Sequence, residues 1–339
     1  MTNAGTDIEA TGEAPESRLE VRLPWQSSQW QHLEALSQSG RLPHAVVLTG
    51  ARGIGKLRFG LALAQKLLCA QPVSGTACGE CRQCGFLRAG THPDFKLVTP
   101  EEAGKQIKVA QVRELVDFLI HTPQQGGYKV TVIQPAEAMN ISAANALLKS
   151  LEEPADNTLL ILITDAPSRL LATIRSRCQA IPFPVPPWQQ ALDWLTAVSG
   201  TPGQAQELLA EAKGRPLAAL DMLASDGLGR RRAMDSDFLA MISGRVGVLT
   251  VAEKWLEFEL EETLAWLGER ISALIAAHTA QQSAPRLWGD MVARADSREL
   301  YALLDKVNQL NQQLRSGANP NRQLALEELL LVSCDKFHN

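Results

Sequence analysis

The stretch HAVVLTGARGIGKLRFG, His44 to Gly60, holds the strongest structural signal in the chain. An apolar run, Ala45 to Leu48, leads into Gly50, Gly53, Gly55 and Lys56, which match the phosphate-loop pattern G-x-x-x-x-G-K. In such a loop the glycines let successive backbone N–H groups turn onto phosphate oxygens. The lysine and the following helix N-terminus add positive charge. A strand before the glycines and a helix after them predict a parallel α/β domain. The alternative is a glycine turn that only joins strand to helix. One position breaks the pattern: the residue after the lysine should carry a hydroxyl for magnesium, and it is Leu57.

On both sides of this loop, short β-type runs alternate with helical ones. The expected strands are 45–49, 95–99, 129–134, 158–164 and 179–183. Helices are expected at 56–68, 111–121 and 142–153. Strands rich in Val, Ile and Leu between helices imply a parallel sheet covered on both faces. The run PFPVPP, Pro182 to Pro187, suits neither regular helix nor central strand and marks a domain exit. Beyond it the pattern is helical. The expected division is a flexible polar tail at 1–21, an α/β domain at 22–185, a small helical domain at 186–228 and a larger helical domain at 229–339.

A second magnesium and water-activating position should follow the strand KVTVI as adjacent carboxylates. The sequence there is QPAEA, so Gln134 and Pro135 stand where acids would, and Glu137 comes two residues late. Two metal-handling positions are lost together, and hydrolysis by this chain is not expected. Gly50, Gly53, Gly55 and Lys56 form a degenerate phosphate loop. It has either weak nucleotide binding or only a surface lysine over an empty pocket.

Cys69, Cys78, Cys81 and Cys84 are spaced C-x8-C-x2-C-x2-C. Four thiolates in one short segment suit a closed tetrahedral zinc site with a structural role. The alternatives are four reduced thiols or an iron–sulfur cluster. Cys178 and Cys334 are isolated, and His92 in GTHPDF is not needed as a ligand. NALLKSLEEP, Asn145 to Pro154, reads as the end of an amphipathic helix with Ile141, Ala144, Leu147, Leu148 and Leu151 on one face. Its Glu152–Glu153 pair diverges around the helix and reads as a solvated end. Arg169, Arg175 and Arg177 gather basic charge after the strand TLLILIT. Taken alone, they make a solvated face.

The 339 residues, 45% hydrophobic and 21% charged, suffice for several cores. A net charge of −4 offers no global field for nucleic acid. With no apolar run of spanning length and no signal-like start, the expected compartment is the reducing cytoplasm.

PWQ near the start, the phosphate loop, the four-cysteine insertion, GTHPD, ANALLKSLEEP and SRC together resemble bacterial clamp-loader subunits, AAA+ proteins of DNA polymerase III. The specific motifs cover residues 22–230; the helical last third matches by character only. The resemblance implies an AAA+ sheet domain with a zinc-binding insertion, a small helical lid and an all-α collar for oligomerisation. It implies zinc on Cys69, Cys78, Cys81 and Cys84, and an arginine finger at Arg177 reaching the ATP site of a neighbouring subunit. Thr164 falls at the family's polar sensor position. Motor members keep the loop threonine, the acidic pair and an arginine where Leu217 stands here, so the implied role is a non-motor one. The implied partners are the gamma/tau and delta subunits and the polymerase III holoenzyme. The sliding clamp and primer–template DNA would be met through the complex, with no membrane contact. A gamma/tau-type motor and an unrelated zinc-containing P-loop NTPase are the alternatives.

Overall fold

A computed structural model describes residues 19–102, 104–280, 296–315, 318 and 320–338. It divides into two compact units, the first ending at Ser225 and the second beginning at Asp226. Most of the expected tail lies outside the described residues. Its last part is anchored: the Glu20 N–H donates to Gln65 Oε1 at 2.7 Å and its carboxylate pairs with Arg58 at 2.9 Å.

In the first unit the described strands are β1 (Ala45–Thr49), β2 (Phe95–Val98), β3 (Lys129–Ile133), β4 (Thr158–Thr164) and β5 (Gln179–Pro182). They form one parallel sheet in the order β2-β3-β4-β1-β5. Alternation of side chains sends Val46 and Leu48 to one face and Ala45 and Val47 to the other. The helices α1 (Ser27–Gln38) and α2 (Lys56–Leu68) cover the first face with Trp30, Leu33, Phe59 and Leu63. On the second face lie α4 (Val109–Ile120) and α5 (Ile141–Glu152), through Val112, Leu115, Ala144 and Leu147. Between α2 and α4 in sequence, α3 (Arg82–Arg88) closes the cysteine segment. Pro182, the last residue of β5, is accommodated because β5 is an edge strand.

Ile141 departs from the expected apolar face. It is the first residue of α5, 69% exposed, and Ala143 is buried in its stead. After the short helix α6 (Ala172–Arg175) and β5, three helices follow within the first unit: α7 (Trp188–Ser199), α8 (Pro202–Glu211) and α9 (Pro216–Ala224).

The described part of the second unit is helical: α10 (Gly227–Ile242), α11 (Val248–Trp255), α12 (Leu260–Ala280), and the helices Ser297–Arg315 and Arg322–His338. The sequence run from Glu253 to Ala277 reads as one amphipathic helix but is broken between Trp255 and Leu260. The break lets Trp255 meet Trp266 edge to face at 5.2 Å. On one straight helix those rings would stand roughly 16 Å apart. Within this unit Asp235 accepts both Nε and Nη2 of Arg270, at 2.8 and 2.7 Å, with Asp235 buried and the Arg270 side chain 14% exposed. Removing Asp235 takes a two-pronged carboxylate from Arg270, so Asp235→Ala should cost about 1.5–3 kcal/mol. Denaturant unfolding followed by tryptophan fluorescence would measure it, and a loss well under 1 kcal/mol would contradict the pairing.

Candidate functional site

The phosphate loop leaves the carboxyl end of β1, and α2 starts at Lys56 with Gly55 as its left-handed cap. The Lys56 ammonium is buried. It donates to the carbonyls of Gly50 and Ala51, both at 2.7 Å, and pairs with Asp165 at 2.6 Å. An ammonium has three N–H donors, and all three are committed to the chain itself. Asp165 directly follows Thr164, and its own N–H donates to Glu137 Oε1 at 3.1 Å. Thr164 is buried and its hydroxyl accepts from the Ala166 N–H. Leu57 packs, partly buried, against the core on the α2 face of the sheet.

Neighbouring segments press on the same loop. The Leu217 N–H, in the first turn of α9, donates to the Gly53 carbonyl at 3.0 Å. A Cβ on Gly53 would lie 2.6 Å from the Ala218 Cβ, and one on Gly55 2.3 Å from Leu23 Cδ1. Both glycines are at positive φ, 83° and 89°. Their bare backbone thus serves close packing within the chain. Trp25 and Gln26 of the PWQ motif donate to the Ile54 and Gly55 carbonyls, at 3.0 and 2.8 Å. With its lysine satisfied and its glycines packed, the loop is held closed by internal contacts.

The four cysteines converge. Their sulfurs all lie within 4.8 Å of one another. The Cys69–Cys78, Cys69–Cys81, Cys78–Cys84 and Cys84–Cys69 separations are 3.5, 3.9, 3.9 and 3.7 Å. A tetrahedron with metal–sulfur bonds of about 2.3 Å has edges of about 3.8 Å. The set therefore fits one tetrahedral ion, and the sulfurs are far outside disulfide distance. Backbone N–H groups of Cys78, Cys81 and Cys84 point at the sulfurs of Cys69, Cys78 and Cys81. Burial opposes ionisation of Cys81, yet the N–H groups of Cys84 and Ala70 and the adjacent thiols outweigh it, pushing its pKa down to about 6. Burial pushes Cys84 up to about 12 and also raises Cys69. His92 stands apart from this set, with Nδ1 accepting from the Asp94 N–H and its ring edge-on to Phe86. Isolated Cys178 is pushed up to about 11 by burial.

Arg177 lies between α6 and β5, two residues before Gln179, which is in register with Val46 of β1. It is therefore at the amino edge of the sheet, while Lys56 follows the carboxyl edge, roughly 15 Å away along the strands. It cannot serve its own loop. Its Nη2 meets Glu152 Oε1 at 2.6 Å, and its Nη1 donates to the Thr173 carbonyl at 3.0 Å. Nearby, Arg175 Nη1 donates to the Pro167 carbonyl at 3.2 Å. Of the carboxylates at the two sites, Asp165 does not stand out in the sequence, and Glu152 reads there only as a solvated helix end. The available signals are the acid immediately after Thr164 and the acid at a helix end, where a negative charge is disfavoured.

A family model described as "DNA polymerase III, delta subunit" matches residues 25–187, and one described as "DNA polymerase III, delta subunit, C terminal" matches residues 225–333. The DNA polymerase III subunit delta' of Pseudomonas aeruginosa is 39% identical over 318 residues, covering 91% of this chain and 96% of that protein. The delta' subunit of Escherichia coli is 33% identical over 314 residues, covering 91% and 94%. The E. coli DNA polymerase III subunit tau is 32% identical over 139 residues, 41% of this chain and 21% of that one.

Proposed function

This chain belongs to the delta' family of DNA polymerase III subunits, and from that premise we propose that it is the non-motor partner in the complex that loads the sliding clamp onto primed DNA. In this reading it assembles with gamma/tau and delta subunits in the cytoplasm, as part of the polymerase III holoenzyme. It meets clamp and primer–template DNA through that assembly. Residues 186–228 act as the small lid domain and residues 229–339 as the collar that holds partner subunits. Among the described residues no helix is long and apolar enough to cross a membrane.

The observation that carries the non-motor role is the closed loop: Lys56 held by Gly50, Ala51 and Asp165, with α9 bonded to Gly53. Leu57, Gln134 and Pro135 offer no side-chain oxygen in the expected metal-handling positions beyond the amide of Gln134. Arg177 faces away from this loop and is proposed as the finger for a neighbour's nucleotide. The cysteine set is proposed to hold one structural zinc. Zinc would there cross-link the ends of the insertion, and it takes no part in hydrolysis.

Reconstitution tests this function. Gamma/tau and delta should load the clamp on primed DNA only when this chain is added. Loading at full rate without it would refute the proposal. The loop makes a separate prediction. Lys56→Ala should leave stimulated ATP turnover of the complex within about twofold of the parent. A fall of ~100-fold, about 2.7 kcal/mol of barrier, would show a working nucleotide site.

A further inference from the structure

We propose that Glu152 is a positioning residue for Arg177. It holds the guanidinium against its own subunit until a neighbour's nucleotide draws it away. The inference rests on the finger role proposed above. Three observations carry it. First, the guanidinium is folded back: Nη2 sits 2.6 Å from Glu152 Oε1, and Nη1 donates to the Thr173 carbonyl at 3.0 Å and the Ser176 hydroxyl at 3.3 Å.

Second, Glu152 is the last residue of α5, where the partial negative charge of the helix end opposes a carboxylate. Local helix energetics does not select an acid there. Arg177 supplies a reason for one. The fold brings the two together because α5 ends, and β5 begins, at the same edge of the sheet. His44, just before β1, marks that edge by its 3.0 Å contact with the Leu151 carbonyl.

Third, the pair is built to be broken. The Arg177 and Glu152 side chains are 36% and 50% exposed, and such pairs are weak. A carboxylate contributes one charge, whereas the phosphate chain of ATP presents several with more oxygens for the planar fork. The equilibrium between docked and extended arginine then shifts only when the richer anion is within reach.

The test uses the complete complex. Glu152→Gln keeps the size and removes the charge, so it should raise ATP turnover without clamp and DNA by about 2–5-fold, the most an exposed ion pair provides. Turnover with clamp and DNA should hardly change, because the arginine is then already extended. In an Arg177→Ala background the same substitution should have no effect. If Glu152→Gln leaves unstimulated turnover unchanged or lowers it while Arg177→Ala depresses turnover, the positioning role fails and the finger role stands. If it changes turnover equally in both backgrounds, Glu152 acts through structure and not through Arg177. If Arg177→Ala itself has no effect, the finger role fails, and the positioning role with it.

Discussion

Cys81→Ser is expected to strip the metal from this protein and to unfasten the segment from Cys69 to Arg88. The parent should carry close to one equivalent of zinc by elemental analysis. The variant should fall below about a tenth of that, since three thiolates leave the shell open to water. Structural zinc contributes about 10–16 kcal/mol in small finger peptides. That is a ceiling here, because the sheet has its own core: Val46, Phe59, Ile161 and their neighbours are buried in a cluster to which the cysteine segment adds Leu87. The damage should therefore be graded. Amide exchange between residues 70 and 83 should rise to that of open chain. The sheet should persist with a lowered melting temperature, because Cys69 directly follows α2 and Cys84 and Leu87 are buried on α3. Stoichiometric iron in the parent would overturn the zinc assignment. Unchanged exchange in a metal-free variant would overturn the structural role.

The cysteine site was legible in the sequence because its ligands are close neighbours along the chain, and short spacings leave few geometries. The strands were legible for a similar reason: β1 and β4 have their expected ends, and the others end one residue early. Helix starts were less so. Helix α4 begins at Val109, because the Gln111 side chain accepts the Lys108 N–H and fixes the first turn ahead of the expected start at 111. What escaped were the pairings that only the fold creates. Asp165 is 109 residues from Lys56 in the chain, and Glu152 is separated from Arg177 by a loop, a strand and a short helix. Composition and periodicity give an acid at a helix end as a solvated charge. The parallel order β2-β3-β4-β1-β5 sets the carboxyl end of β4 beside β1, from which the phosphate loop leaves, and the end of α5 meets Arg177 just ahead of β5. The substitutions Leu57, Gln134 and Pro135 revealed missing chemistry, but not that Asp165 and α9 had closed the loop.

Arg177→Ala is expected to give a folded, metal-loaded protein that enters the complex and disables hydrolysis at the one site it serves. Arg177 sits at the amino edge of the sheet, out of reach of its own Lys56, and any nucleotide it touches must belong to another subunit. A guanidinium is always charged and planar, suited to the charge that spreads over γ-phosphate oxygens during transfer. Fingers of this kind contribute ~10³–10⁵ in rate at their site. Steady-state turnover of the whole ring should fall less, by roughly the share of the served site, so single-turnover measurement at that site is the sharper readout. The competing account gives Arg177 no role beyond its contact with Glu152. A half-exposed pair of that kind is worth about 0–1 kcal/mol. On that account Arg177→Ala lowers stability slightly and leaves hydrolysis alone. Arg177→Lys separates charge from shape: an ammonium can still meet Glu152 but lacks the two-pronged donor geometry. It should keep the stability and recover little of the rate. A complex of verified composition that turns over ATP normally with Arg177→Ala would leave the arginine as a surface ion pair.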